Sequence, residues 1–358
     1  MASTLEKAKY QRIAHSLREQ IRNGDLRPGD RLPSFSEMHA QHGATTTTVE
    51  RSYTILQQEG LVKREKGRGV FVAQPEPAPT TGTIGVFGIG LTDMNAHPWH
   101  MHLLTGIRKM AQQAGKEILL YPFLPDADLK WEKVDGILNL DPNFLHIVPY
   151  LPPNMPFISA LTKIAGHTSV VPDEASGIRQ AVRHLVELGH RRIAYLIMHG
   201  VPELSFLTPR ITAYQDALRE VGIKPDIRWL RRLEPDNPHY QENGHHEMKQ
   251  WLGEDWHELG CTALLTQNDD VAIGAMQALQ QSGMSVPDDV SVIGFDGTEI
   301  GKYCLPHLTS VALPLDEIGA QAMDFLLRII KEEPVPFSTL ELPTSLIIRR
   351  STTVAKTN

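Results

Sequence analysis

Apolar residues recur at helical spacing early in the chain and gather into strand-like blocks further on. Ile13, Leu17 and Ile21 stand four residues apart, on one face of a helix predicted from Tyr10 to Ile21 and ended by Asn23-Gly24. Ser34 and Glu37 have the spacing of a capping box, in which hydroxyl and carboxylate satisfy free amides at a helix start, so a short second helix follows. Gly43 breaks it. Thr45 to Thr48 lead into a third helix carrying Val49, Tyr53 and Leu56, closed by Glu59-Gly60. Leu61 to Arg64 and Val70 to Ala73 alternate like strands around Lys66-Gly67-Arg68-Gly69. This order predicts a winged helix-turn-helix over residues 1–73.

From Thr83 the pattern becomes apolar runs alternating with helical segments, the mark of an α/β region whose parallel sheet is covered on both faces. Strands are predicted at Ile84 to Phe87, Ile118 to Tyr121, Gly136 to Leu140, Phe157 to Ala160, Ile193 to Met198, Ala263 to Thr266 and Val290 to Phe295. Helices are predicted at Met101 to Ala114, Gly177 to Leu188, Arg210 to Val221, Val271 to Ser282 and Leu315 to Lys331. Residues 83–354 exceed one compact core, so two open α/β lobes, with a ligand cleft at the carboxyl ends of their strands, fit the length. Between the two regions, residues 74–82 carry three prolines, which fix φ and favour an extended linker.

Charge separates the same two regions. Residues 1–74 hold 12 Lys and Arg against 8 Asp and Glu, a balance of +4, whereas the remainder holds 23 against 34, a balance of −11. A basic unit on an acidic body points to a polyanion at the N-terminal part and a different partner beyond it. The 358 residues include two isolated cysteines, Cys261 and Cys304, which suits a reducing cytoplasm rather than a disulfide scaffold. No run approaches the roughly 20 apolar residues that cross a bilayer, and the charged start lacks an apolar signal core, so no membrane partner is expected.

Catalytic signatures are missing: there is no Walker A loop, no Gly-x-Ser-x-Gly elbow and no HExxH helix, so the chain does not read as an enzyme and no catalytic residue is assigned. Gly85-x-x-Gly88-x-Gly90 has the wrong spacing for a dinucleotide loop, and no cofactor is expected. His97, His100 and His102 near Asp93 could gather around a transition metal, but their irregular spacing favours contacts with solvent or ligand, and no metal is assigned.

The predicted head suits double-stranded DNA. Its third helix fits the major groove; Ser34, Ser36, Thr45, Thr46, Thr47, Thr48 and Arg51 can meet phosphates or base edges; and the wing tip Lys66, Gly67 and Arg68 can meet backbone phosphate. Tyr10-x-x-Ile13, Gly24-x-Leu26-x-Pro28-Gly29-x-x-Leu32-Pro33-Ser34, Thr47-Thr48-Val49, Leu56-x-x-x-Gly60-Leu61-Val62 and Gly67-x-Gly69-Val70-Phe71-Val72 resemble the DNA-binding domain of GntR-type transcription regulators. Ser36, Thr46 and Glu50 stand where that family often carries arginines for operator contact, so the resemblance implies DNA binding without specifying a base preference.

A second resemblance is carried by Ala181-x-x-His184-Leu-x-x-Leu-Gly189-His190-Arg-Arg-Ile193-Ala194-Tyr195, Arg210-x-x-x-Tyr214-x-x-Ala217-Leu218, Asn268-Asp-x-x-Ala272-x-Gly274-Ala275, Val290-Ser-Val-Ile-Gly294-Phe-Asp296 and Pro306-x-Leu308-Thr309-Ser310-Val311. These look like the effector domain of the lac and purine repressor family, itself similar to periplasmic sugar-binding proteins. Chimaeras of the two types include arabinose-responsive repressors.

By matched position, Arg210 resembles the cleft arginine that binds sugar hydroxyls or a carboxylate, and its five fixed donors suit a polar ligand. Asn268, Asp296 and Asp173 each follow an apolar strand, where they can either hydrogen-bond a ligand or serve as local caps and ion pairs. Asp269 is expected to cap the next helix. Trp99 and His100 align with a loop that supplies ring contacts, although Trp99 suits core packing equally. Together these imply an effector-controlled repressor of sugar or related carbon-source genes, acting as a cytoplasmic homodimer. The residues also leave open a small-molecule binding protein or enzyme whose head mediates protein contacts.

Overall fold

The computed structural model describes residues 2–22, 25–73, 81–88, 98–121, 131–140, 151–152, 154–198, 208–234 and 239–356. They form two compact units, Met1–Thr80 and Thr81–Asn358.

In the first unit, α1 (Ala2–Arg22), α2 (Phe35–His42) and α3 (Thr46–Gln58) precede a hairpin of β1 (Val62–Glu65) and β2 (Gly69–Val72). The hairpin is antiparallel, pairing Val62 with Val72 and Glu65 with Gly69. Ile13, Leu17, Met38, Val49, Tyr53, Leu56, Val62 and Val72 make one buried core, so the residues spaced at helical intervals are the ones that pack. α1 begins well before the expected Tyr10; upstream residues such as Glu6, Lys7 and Ala8 are good helix formers even without an apolar stripe.

The second unit holds two six-stranded sheets. The first contains β3 (Thr83–Phe87), β4 (Glu117–Tyr121), β5 (Gly136–Asn139), β6 (Phe157–Ala160), β7 (Thr168–Pro172) and β13 (Thr339–Leu342), in the order β13-β7-β6-β5-β3-β4 and parallel throughout. The second contains β8 (Ile193–Ile197), β9 (Leu230–Arg232), β10 (Ala263–Thr266), β11 (Ser291–Asp296), β12 (Thr309–Ala312) and β14 (Ser345–Ile347), in the order β14-β12-β11-β10-β8-β9, with only β14 antiparallel to its neighbour. Residues of α4 (Pro98–Gln113) and α10 (Leu315–Ile330) share the first core, while those of α5 (Glu174–Glu187), α6 (Thr208–Glu220), α7 (Tyr240–Gly253), α8 (Trp256–Leu259) and α9 (Asp269–Gln281) share the second.

The chain therefore crosses between lobes three times: at Asp173, between β12 and α10, and between β13 and β14. The first and third crossings are tied together. Asp173 N donates to Leu342 O at 2.8 Å and Thr344 Oγ1 donates to Asp173 O at 2.9 Å. Gln180 on α5 bonds Thr344 O and Leu346 N at 3.1 and 3.2 Å. Such a bundle of short connections constrains the lobes to hinge together.

α4 and α10 meet backbone to backbone at glycines: a Cβ on Gly106 would lie 1.9 Å from Asp316 O, and one on Gly319 would lie 2.2 Å from Leu103 O. Thr81 and Gly82, expected within the linker, are held by Asp135, which accepts from Gly82 N at 3.0 Å and from Thr81 Oγ1 at 2.8 Å. Residues 74–80 lie outside the described ones. In the second unit the long buried strands and the expected helices fall where expected, with ends moved by up to three residues; β7, β9, β12, β13, β14, α7 and α8 are additional.

Candidate DNA-reading face and effector cleft

Ser34 caps α2 as its spacing with Glu37 implies: Glu37 N donates to Ser34 Oγ at 3.3 Å, and Ser34 N to the Glu37 carboxylate at 2.6 Å. That amide bond holds the Glu37 carboxyl below its ordinary pKa. Gly43 then turns the chain with φ of 56°, which a residue without Cβ adopts freely. Thr45 caps α3 by accepting from Thr48 N at 3.3 Å.

The four threonines consequently separate. Thr46 and Thr47 are exposed with Arg51, and Thr45 is exposed while capping; Thr48 is 2% exposed and bonded to Thr45 Oγ1 at 2.8 Å. Thr48 is thereby corrected from a DNA contact to an internal brace, because the helical rotation that exposes Thr47 turns its successor inward. Ser34 is committed to its cap. Ser36 is exposed on α2.

At the wing tip Lys66, Gly67 and Arg68 are all exposed. Arg68 Nη1 donates to Glu65 Oε2 at 2.7 Å, with its Cζ 5.6 Å from the Phe71 ring centre. Exposed Arg31, missed in the sequence, lies against the hairpin through its bridge to Phe71 and adds a third cation beside the wing. Its only sequence signal was its place between Gly29 and Pro33.

In the second unit, several side chains converge at the carboxyl edge of the second sheet. Arg210 enters from the first turn of α6 and is 8% exposed. Its Nη1 donates to Gln267 O at 2.9 Å, its Nη2 to Glu174 Oε1, and its Cζ lies 3.9 Å from the centre of the Phe295 ring. Burial opposes the guanidinium charge, but the Glu174 carboxylate more than offsets it, and the pKa is raised. Arg210 Nε has no partner among the described residues, and neither does the fully buried Tyr195 hydroxyl close by.

Asp296 ends β11 with φ of 96°, a left-handed conformation unusual for a residue with a Cβ. Burial pushes its pKa up to about 8; Arg210 opposes the shift, while Asp269 and Glu174 add to it. A carboxyl raised in this way takes up a proton more readily than an ordinary aspartate, and in that form it can donate as well as accept.

Asn268 and Asp173 have capping roles. Asn268 Oδ1 accepts from Val271 N at 2.9 Å and Asp173 Oδ1 from Ser176 N at 2.9 Å, which occupies one oxygen of each. Asp269 was expected to cap α9, but Asn268 is the cap; Asp269 is buried and accepts from Thr298 N, Thr298 Oγ1 and Ser310 Oγ at 2.6, 2.7 and 2.5 Å. Burial raises its pKa to about 6 against those bonds. Glu174, Gln267, Phe295 and Tyr195 were not singled out in the sequence.

His100 is half-buried on the first turn of α4. The Trp99 side chain, His97 and Asp93 lie outside the described residues, and His102 Nδ1 faces Asp316 Oδ1 at 3.3 Å. Among the described residues no three His, Cys, Asp or Glu gather as metal ligands, and no helix is long and apolar enough to cross a membrane. Cys261 and Cys304 are both free, and burial pushes the Cys261 thiol up to about 12.

Residues 9–72 match the family of bacterial regulatory proteins described as gntR, and residues 182–352 match the periplasmic binding protein-like domain. The arabinose metabolism transcriptional repressor of Geobacillus stearothermophilus is 26% identical over 376 residues, spanning 96% of this chain and 97% of that protein. The HTH-type transcriptional regulator GalS of Salmonella typhimurium is 33% identical over 320 residues, spanning 82% and 89%. Among solved structures, a LacI family regulator from Enterococcus faecium with bound ribose matches with TM-score 0.63 and 25% identity, over 76% of this chain and all of that one.

Proposed function

The chain belongs to the bacterial transcription regulators built on a lac-repressor-like effector domain, here with a gntR-type head, and from that premise we propose a cytoplasmic homodimeric repressor of sugar-utilisation genes. Its role is regulatory rather than enzymatic.

One observation carries the effector assignment: Arg210, Phe295 and Asp296 converge at the carboxyl edge of a sheet, immediately beside Glu174 at the hinge. That edge is where open α/β sheets bind ligands. A polar ligand seated there gains bonds to both lobes only when they close, so it favours one hinge angle over the other. Differential affinity of that kind is what lets a small molecule change operator binding.

One recognition helix reads a half-site, and a two-fold dimer reads a palindrome. Tyr303, Leu305 and Ile300 are 78%, 76% and 40% exposed and supply an apolar surface suited to a second copy. Relatives named for arabinose and a structure holding ribose support a sugar as effector.

The test is gel retardation of DNA from upstream of the chain's own gene. The protein retards such a fragment, and its affinity shifts several-fold with the cognate sugar. No retardation at moderate salt overturns the proposal.

A further inference from the structure

The Glu174–Arg210 pair carries information about the charge of the effector. Arg210 already holds a counter-ion. One N–H of Nη1 donates to Gln267 O and one of Nη2 to the Glu174 carboxylate, and one face of the guanidinium is covered by Phe295, so its charge is balanced inside the protein while part of its donor set stays available. The exposures of the two paired side chains are 10% and 21%, so water screens the contact poorly.

We propose that Glu174 is a specificity-determining residue that supplies Arg210 with an internal counter-ion, making the cleft selective for neutral polyhydroxylated ligands against sugar acids and sugar phosphates. The inference rests on the effector reading above and narrows its substrate class.

The balance of charge supports it. A ligand carboxylate could take over the Arg210 charge only by displacing Glu174, and the displaced carboxylate would then be left without its partner near Asp296. Removing one partner of a buried ion pair is costly because the other charge stays desolvated. A hydroxyl needs no such exchange: Arg210 Nε remains as a donor without a partner among the described residues, and Asp296, whose pKa burial raises to about 8, accepts or donates as the hydroxyl requires. Asn at position 174 would leave Arg210 with a free charge, and the preference would reverse. Nothing in the spacing of Glu174 and Arg210, 36 residues apart in sequence, marks them as partners.

The experiment uses the full chain and reads thermal shift at neutral pH. Its neutral probes are L-arabinose, D-ribose, D-galactose and cellobiose; its anionic probes are D-galacturonate, D-gluconate and D-glucose 6-phosphate. Wild type is expected to be stabilised by at least one neutral probe and by no anionic one, since only ligands of the folded state raise its midpoint. In E174Q, which keeps the shape and removes the charge, the ratio of neutral to anionic affinity should fall by about tenfold or more.

Stabilisation of wild type by an anionic probe overturns the inference and leaves the effector reading standing. An unchanged ratio in folded E174Q overturns it too, and should the variant fail to fold, the wild-type response to the anionic probes decides the inference by itself. If no probe of either class stabilises wild type, the sugar-effector reading fails and this inference falls with it.

Discussion

Asp269 at the start of α9 accepts a hydrogen bond of 2.5 Å from Ser310 on β12, tying the helix beside the cleft to the strand that leads into the second lobe crossing. The same carboxylate takes the amide and hydroxyl of Thr298. Every partner is a donor, so an amide side chain cannot replace the acid: one Asn oxygen satisfies part of the set and its NH2 faces the rest. Asp269→Asn should therefore destabilise the protein by roughly 2–4 kcal/mol, the range for a buried charged hydrogen-bond network left incomplete. Urea unfolding of the full chain measures it, and a loss within about 0.5 kcal/mol, typical of surface changes, would contradict it.

The two raised acids also set a pH dependence. Asp269 and Asp296 hold their protons in the folded state up to about 6 and about 8, whereas both ionise near the ordinary 3.8 when unfolded. Their contribution is fully present below the unfolded value and is lost as pH rises through the folded values. Melting temperature is expected to fall across that window, with Asp296 alone removing up to about 1.4 kcal/mol per pH unit between about pH 6 and 8. Asp296→Asn should flatten the stretch between about pH 6 and 8 and reduce the slope below it to the part that Asp269 supplies. A melting curve that is level across the upper stretch in wild type would refute the assignment.

Helix approach gives a steric prediction. A methyl on Gly106 would lie 1.9 Å from Asp316 O, which belongs to backbone and cannot rotate away. Gly106→Ala should force α4 from α10 and cost more than the roughly 1–3 kcal/mol usual for overpacking, despite alanine's better helix propensity. Gly115→Ala differs, since no atom lies within 4 Å of its added Cβ and the cost comes only from its φ of 64°. Equal thermal midpoints for the two variants would show that the helix contact is looser than it stands here.

Legibility in the sequence followed burial. β5, β6, β8 and β10 are buried at every position, so each reads as a largely apolar run with at most one polar residue, Asn139, Ser159 or Thr266, in it. β13 and β14 are short, half-exposed strands at the sheet edges, and their alternation is too brief to detect. α7 was missed because its buried face includes Asn243, Gly244 and Glu247, which a hydrophobic pattern counts as polar or helix-breaking. Glu247 is buried there because Arg231 pairs with it at 3.1 Å. At the site, Arg210 was visible through resemblance, but its pairing with Glu174 arises only when α5 and α6 pack. Four successive threonines look alike in a sequence; only the phase of α3 distinguishes Thr48 from the exposed three.

The head offers cations whose surroundings differ, and that difference orders their effects on DNA. Lys66 is exposed at the wing tip, whereas Arg68 shares its charge with Glu65 at 2.7 Å. Each phosphate contact contributes about 0.9 to the slope of log affinity against log salt, because neutralising a phosphate releases counterions. Lys66→Ala should reduce that slope by about 0.9, and Arg68→Ala by less, since the Arg68 charge is already partly neutralised by Glu65. Thr46→Ala and Thr47→Ala should leave the slope almost unchanged while relaxing discrimination between sequences, as expected of side chains that meet base edges. Ser34→Ala should act through the fold, costing about 1 kcal/mol of head stability by removing the cap. Fluorescence-anisotropy titrations over a salt series, with operator and scrambled DNA, separate the three outcomes. Should Lys66→Ala leave the slope at its wild-type value, the wing does not touch phosphate.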